Sequence, residues 1–502
     1  MAACGVANSL KSSLGPKGMD KMLISQDGDV TVTNDGATII ENMNIEHPIA
    51  KLLVELSKSQ DDEIGDGTTG VVILAGALLE QAQKLLDKRL HPLQIIEGFD
   101  KGCKYALDNL DEIKFDKNNN EDLKSAAKTA LSSKVISKYQ DKFAEIAVNA
   151  VLAVADTSRK DVNFDLIKIV GKVGGNLEDT QLIEGIVLDK EMSHPQMPKK
   201  VTDASICILN IPFEPPKPKT KYNIDIKSAE DYKKLYETEQ NYFKEMVDNV
   251  KKSGANFVIC QWGFDDEANH LLMHNNLPAV RWVGGTELEQ IALASGGRII
   301  NNFKDIAVEK FGKAYEVKEV NLGTKNDKVI IIELCLAKKA VTILVRGSSS
   351  MIVDEAKRSL HDAICVVRNM IKEPKIVYGG GAAEISCSLY VNEKADNTST
   401  IEQYAIRAFA EALDVIPISL AENSGYNGIE YLANLKTKQI KENNPCLGVD
   451  CLKKGTNNMM IQKVFEGYNS KKQQIQLATQ VCKMILKIDD IIKPHDLDEN
   501  SF

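Results

Sequence analysis

Aromatic side chains are scarce in this chain: they make up 6% of 502 residues, and only two are tryptophans. That excludes a base-stacking platform for single-stranded nucleic acid as an organising feature. Basic excess is missing too. With 62 Lys and Arg against 71 Asp and Glu, the formal net charge is −9, the opposite of the basic stripe that a nucleic-acid binder presents. Long apolar runs are absent. The longest, near Val71 to Leu79, falls well short of the roughly 20 residues a membrane-spanning helix needs. Met1 to Lys11 has no apolar segment of the kind a secretory signal carries. No Cys-x-x-Cys pair occurs among the ten cysteines, the nearest two being Cys446 and Cys451. The thiols are therefore expected to be reduced and mostly buried, and the location cytoplasmic. No serine or cysteine sits in a nucleophile signature, and no histidine-based triad is suggested. What is there is a composition 43% hydrophobic and 26% charged, that of a globular protein with room for about three domains.

The most informative stretch is Gly65-Asp66-Gly67-Thr68-Thr69-Gly70. Ile49, Leu52, Leu53 and Leu56 recur at helical spacing before it, and Val71, Ala75, Leu78, Ala82 and Leu85 after it. The glycines, the acid and the two hydroxyls thus fall at a helix N-terminus. Unpaired N–H groups and the positive end of the helix dipole favour phosphate there. Asp66 suits Mg²⁺, a hard cation that prefers oxygen. The pattern is neither a Walker A loop, since no Gly-Lys-Ser/Thr follows, nor a Gly-x-Gly-x-x-Gly fingerprint. A capped tight turn remains the alternative reading. Gly379-Gly380-Gly381, between the strand-like Val377-Tyr378 and a helical run, is a second place where backbone can approach a ligand closely.

Along the chain, residues 1–115 read as mostly helical, with a strand at Asp29 to Thr33 and a turn at Asn34-Asp35-Gly36. A polar run from Lys117 to Asp122 marks a candidate boundary. Residues 186–342 alternate β-like runs (Ser205–Ile211, Asn256–Cys260, Lys328–Leu334, Val341–Val345) with helical ones, as a separate α/β domain would. Within it, Pro212 to Lys221 carries too many prolines for a packed element and reads as an exposed extended arm. A charged amphipathic helix at about Ala229 to Lys252 follows. After Gly347 a long helix covers Val353 to Ile371, and the helical remainder ends in a polar tail at Lys493 to Phe502. Helical, α/β, then helical again is the layout of one domain inserted in another.

Single residues carry bland readings beside sharper ones. Asp35 is a turn or cap aspartate, or a carboxylate near a phosphate. Asp362 points away from the apolar stripe Ala356, Leu360, Ala363, Ile364, Val367 and Ile371, with Arg358 one turn earlier. Spacing alone makes it half of a solvated surface ion pair. His270 and His274, four apart beside Asp265, Asp266 and Glu267, lack a third zinc ligand and the His-Glu-x-x-His order.

Taken together, Leu14-Gly15-Pro16-Lys17-Gly18-Met19-Asp20-Lys21-Met22, Thr33-Asn34-Asp35-Gly36-Ala37-Thr38, Gly65-Asp66-Gly67-Thr68-Thr69 and Gly379-Gly380-Gly381-Ala382 resemble the signature blocks of the group II chaperonins, along essentially the whole chain. Glu55 to Ile64, Pro212 to Lys221, Gln261 to His270, Arg281 to Gly285 and Arg358 to Val367 add a closer likeness to its eukaryotic cytosolic branch. The resemblance implies a multidomain α and α/β chaperonin fold. Residues 1–116 and 376–502 would form a mainly helical equatorial ATPase domain, its N-terminal strand missing. Residues 117–185 and 343–375 would form a small intermediate α/β domain. Residues 186–342 would form an inserted α/β apical domain whose proline-lysine arm and following helix are a lid protrusion. It implies an ATP-hydrolysing subunit, with ATP and Mg²⁺ as cofactors. Its partners would be seven sister subunits in a hetero-oligomeric double ring and non-native client proteins, with neither nucleic acid nor membrane among them.

The resemblance also reassigns Asp362, which with Asp35 would orient and activate the attacking water while Asp66 holds Mg²⁺. Gly15, Pro16, Gly67, Thr68, Thr69, Gly380 and Gly381 would line the phosphates and ribose. Ser133 and Lys134 would approach the terminal phosphate, and Asp450, Glu466 and Lys471 the base and sugar side. Phosphoryl transfer to water needs positioning and charge neutralisation more than covalent chemistry, which this residue set suits. A binding subunit that has lost hydrolysis, or a small-molecule kinase, are the other classes such glycine loops serve.

Overall fold

The computed structural model describes residues 2–491 apart from 26–27, 29, 44, 117–118, 157, 215–225, 227, 324–326 and 334–339. The chain forms two compact units. The first is discontinuous, Met1–Val148 with Arg358–Phe502, and the second, Asn149–Lys357, interrupts it.

The first unit is built on the helix Thr68–Asp87. From Val71 to Leu79 every residue is buried, so this part of the helix has no polar face and must be wrapped by others. Helices Ala2–Lys11, Pro48–Glu63, Glu402–Leu413 and Tyr468–Leu486 pack against it. Pro92–Ile113 and Ala382–Asp396 complete the bundle around Glu402–Leu413. Small residues set the closest approaches. A methyl group added to Gly102 would lie 2.8 Å from the Phe409 ring, so the two helices pack backbone against aromatic face. Phe409 meets Phe99 edge-on, with ring centroids 6.0 Å apart.

Two small sheets complete the unit. The strand Lys21–Ile24 pairs antiparallel with Val30–Thr33, which leads through Asn34 into the helix Gly36–Asn42. The strand Lys375–Tyr378 is flanked by Phe115–Asp116 and Phe465–Gly467, which sets residues 115, 376 and 467 side by side.

In the second unit a six-stranded sheet runs Gly185–Leu188, Lys328–Glu333, Gly312–Asn321, Lys200–Leu209, Phe257–Cys260, Ala279–Val280. The last three strands are parallel and the rest antiparallel. Helices Ala229–Lys252, Asp266–His274 and Gly285–Ser295 belong with it. The run at Val341 joins a different sheet: Val341–Gly347 is the centre strand between Ile167–Val173 and Gln181–Ile183.

The proline-rich arm does not begin where its prolines do. Phe213 is fully buried, bridged to Phe264 and packed edge-on against Phe264 and Phe303. An aromatic residue between prolines has simply been taken into the core. The rest of the arm, 215–221, and the tail from Ile492 lie outside the described residues. The helix Ala229–Lys252 has the predicted limits, with Ser228 as its N-cap. Its apolar face is buried only in the C-terminal half, at Phe243, Met246, Val247 and Val250, while Tyr232, Leu235 and Tyr236 are exposed. Among the described residues no helix is long and apolar enough to cross a membrane.

The bundle's dependence on Phe409 is testable. Phe409→Ala removes a fully buried ring beneath a glycine that cannot fill the space. It is expected to cost roughly 3–5 kcal/mol, read as a lower urea midpoint for the first unit at unchanged slope. A loss under about 1 kcal/mol would contradict this packing.

Candidate functional site

Two helices of the first unit begin with an uncapped turn. Thr68–Asp87 starts after Gly67 (φ +77°) and Ala382–Asp396 after Gly381 (φ +76°). Both N-cap residues are left-handed glycines with no side chain to accept from the first N–H groups. Each helix therefore offers its donors and dipole outward. Both turns line one cleft of about 490 Å³.

The rest of the cleft is assembled from distant segments. Gly15 and Pro16 come from the turn after the first helix, which Asn423 anchors by donating to the Lys11 and Leu14 carbonyls at 2.8 Å each. Asn34 donates to the Ser133 carbonyl at 3.3 Å and so ties the hairpin end to the loop bearing Ser133 and Lys134. Gln60 donates to the Asp66 carbonyl at 2.9 Å, and Gln474 to the Gly67 carbonyl at 3.4 Å, which fixes the glycine loop from two sides. Arg368 and Asn369 bind the Glu63 and Ile64 carbonyls, fastening the helix Ser350–Lys372 to the same loop.

Every predicted site residue except one lines this cleft: Gly15, Pro16, Asp35, Asp66, Gly67, Thr68, Thr69, Ser133, Lys134, Asp362, Gly380, Gly381, Glu466 and Lys471. Asp450 does not. Its carboxylate accepts from the Lys454 and Gly455 N–H groups and from Gln462, which closes its own loop. The residue-by-residue reading of Asp362 as half of a solvated surface pair is overturned. Its carboxylate lies 2.9 Å from Lys134 Nζ, and its side chain is only 16% exposed. The reason is tertiary, because the polar face of this helix is covered by the loop that carries Lys134.

Lys134 is itself buried and stands 4.0 Å from Asp35. Asp35 plays both roles considered for it. One oxygen caps the helix Gly36–Asn42, accepting from the Thr38 N–H at 3.0 Å and the Thr38 hydroxyl at 2.7 Å. The other accepts from the Thr68 hydroxyl at 3.2 Å. Burial alone would raise the Asp35 pKa, but Lys134 and the Thr38 and Thr68 hydrogen bonds outweigh it, so the carboxyl is held below its ordinary range. Asp66 goes the other way: burial raises it, against the Gly67 N–H, Lys471 and Lys134. Burial also pushes Asp362 up, to about 8, opposed by Lys134 and reinforced by the negative charge of Asp35. Two carboxylates with environments that push them apart, Asp35 downward and Asp362 upward, form the pattern of an acid–base site.

At the other end of the cleft, Lys471 lies 2.5 Å from Glu466 and 2.6 Å from Glu384. The two carboxylates raise its pKa despite its burial. Burial raises Glu466, against the pull of Lys471. Glu384, Asn34, Gln60 and Gln474 are the residues that sequence reasoning missed. Glu384 was legible only as an acid in a first helical turn, and its partner is 87 residues away. Elsewhere, His270 packs on His194, with ring centroids 5.5 Å apart. No cluster of three metal-ligating side chains occurs among the described residues.

The fold is that of a chaperonin, and comparison with known proteins shows the family. Residues 6–496 match the TCP-1/cpn60 chaperonin family, and the chain belongs to that family. It is 51% identical to the T-complex protein 1 subunit epsilon of Encephalitozoon cuniculi over 98% of this chain and 93% of that protein. It is 42% identical to thermosome subunits of Methanopyrus kandleri and Methanothermococcus thermolithotrophicus, over 99% of this chain and 92% and 91% of theirs. The family's activity, ATP hydrolysis in the service of protein folding, is this chain's class of function.

The Asp362 environment makes stability depend on pH with a definite sign. Between the free carboxyl value of 3.8 and about 8 the folded state binds the proton that the unfolded state has lost. The Asp362 contribution to stability is therefore present below about pH 4 and lost as pH rises to about 8. Asp362→Asn abolishes this dependence. In nucleotide-free protein, its melting temperature relative to wild type is expected to climb from pH 5 to pH 8 and then level. A pH-independent difference would show that Asp362 titrates as an ordinary carboxyl.

Proposed function

We propose that this cleft binds ATP with its phosphates against the Gly65–Thr69 turn and hydrolyses it by activating water at Asp35 and Asp362. The observation that carries this reading is the opening of two uncapped helix N-termini into the cleft that also holds Lys134 with Asp35 and Asp362 beside it. The N–H groups after Gly67 and the Thr68 and Thr69 hydroxyls are donors suited to phosphate oxygens. Lys134 supplies positive charge where negative charge grows in the transition state. Lys134 offsets part of the burial penalty on the Asp362 charge, and in its ionised form Asp362 is a base that can accept a proton from water. Asp35, kept ionised by its hydroxyl and amide donors, orients that water.

Asp66 fits a divalent cation. Its carboxyl is pushed toward the neutral form by burial, a cost that a hard cation removes, and Thr68, Thr69 and Asp35 add further oxygens. Mg²⁺ bound there would neutralise phosphate charge and polarise the terminal phosphoryl group. Glu466 and Lys471 face the sugar and base end, and Asp450 holds the loop beside them.

The relatives, a T-complex protein 1 subunit and thermosome subunits, support a reading of the larger assembly. The chain would serve as one of eight related subunits, with seven sisters, in a cytoplasmic double ring that encloses non-native clients. Residues 1–116 and 376–502 would be its equatorial part, 117–185 and 343–375 its intermediate part, and 186–342 its apical part and lid. The half-exposed helix Ala229–Lys252, apolar only where it leaves the sheet domain, suits a projecting element.

Two measurements test this reading. In the assembled protein, Asp66→Ala is expected to lose Mg²⁺-dependent ATP hydrolysis at this subunit. Asp362→Ala is expected to keep ATP binding while hydrolysis falls about 10²-fold or more. Normal hydrolysis by either variant would refute these roles. The native mass of the tagged chain from its own cells tests the ring. A double-ring particle with sister chains is expected, and a monomer would refute the assembly.

A further inference from the structure

Glu384 is the most deeply buried carboxylate beside the cleft, with a side chain 3% exposed, yet it does not line it. It stands behind Lys471, next to a cavity of about 10 Å³ that is too small for more than one water. Its Oε1 accepts from Lys471 at 2.6 Å, and its Oε2 has no hydrogen-bond partner among the described residues. Its negative charge is thus aimed at a single group. Lys471 in turn reaches Glu466, whose side chain is 25% exposed into the cleft. The backbone leaves room for this arrangement, since a Cβ at Gly379 would lie 2.7 Å from Glu466 Oε1. One ammonium is therefore shared by two carboxylates.

We propose that Glu384 is a positioning residue that sets the hydrogen-bond-accepting strength of Glu466, and thereby the preference of the cleft for a nucleotide with free sugar hydroxyls. The proposal rests on the reading of the cleft as an ATP site. A carboxylate accepts but does not donate and is repelled by phosphate, so Glu466 must face a part of the ligand that carries donors. With the phosphates at the Gly65–Thr69 end, the sugar hydroxyls are the donors nearest the other. If Lys471 belonged to Glu466 alone, the pair would be neutral and a weak acceptor. Glu384 takes half of that ammonium and leaves Glu466 with charge for the ligand. Charge-assisted hydrogen bonds are the strong ones, so discrimination follows.

The test is calorimetric titration of the full chain with MgATP and with Mg-2′,3′-dideoxy-ATP. Wild type is expected to bind ATP more tightly than the dideoxy compound. Failure of wild type to bind either would overturn the nucleotide reading itself. Glu384→Gln keeps the shape and removes the charge. It is expected to raise the Kd for ATP roughly tenfold, about the worth of one charged hydrogen bond, and to leave the dideoxy Kd within about twofold. Glu466→Gln should do the same, and adding Glu384→Gln to it should change nothing further. Equal weakening of both nucleotides, no weakening of either, or additive effects of the two substitutions would overturn the positioning role while leaving ATP binding intact.

Discussion

The interaction on which the site depends is a buried lysine that needs anions. Lys134 is 8% exposed, and an ammonium so enclosed is stable only with charge beside it. It meets that need with Asp362 at 2.9 Å and Asp35 at 4.0 Å, residues 228 positions later and 99 earlier. Once that demand is met, much else is constrained. The hairpin end must reach the Lys134 loop, which the Asn34 bond secures. The long helix Ser350–Lys372 must turn its polar face inward there, which Arg368 and Asn369 fix by gripping the loop before Gly65. The pair is poised rather than content: burial works against the Asp362 charge while Lys134 works for it.

The second constraint is backbone. Two helices start after left-handed glycines that can neither cap nor fill space. A side chain at Gly67 would collide with Gln474, and one at Gly381 would press on Pro417. The same glycines thus serve packing and leave N–H groups open. Orphan donors at a helix start are costly when buried, and they are tolerable here because they line a cleft. A polyanion is the ligand that best satisfies them.

How much of this was legible in the sequence depends on range. Local chemistry was: the glycine turn before an apolar helix, the Asn34-Asp35-Gly36 turn, the strand-to-helix glycines at 379–381 and the helix from Ala229 were all readable from spacing. Partnership was not. Nothing near Asp362 announces Lys134, so spacing returned a surface pair with Arg358, and only the family likeness placed it at a phosphate. Glu384 and Lys471 were similarly invisible to one another. Asp450 differs from both. The likeness carried it to the ligand, but its three hydrogen bonds are spent on its own loop. Phe213 failed for a third reason, since proline density describes backbone and says nothing of one aromatic ring that finds the core.

The helix Ser350–Lys372 supplies the last step. Its residues up to Lys357 belong to the second unit and those from Arg358 to the first. Asp362 sits barely more than one turn past that division. A ligand that competes for Lys134 changes the electrostatic reason for Asp362 to stay where it is. A ligand moves a conformational equilibrium only by binding its states unequally. Here the unequal term has an address: the lysine that either neutralises Asp362 or serves the ligand, and cannot fully do both. Lys134 is thus a group for which an anion in the cleft and the Asp362 carboxylate would compete.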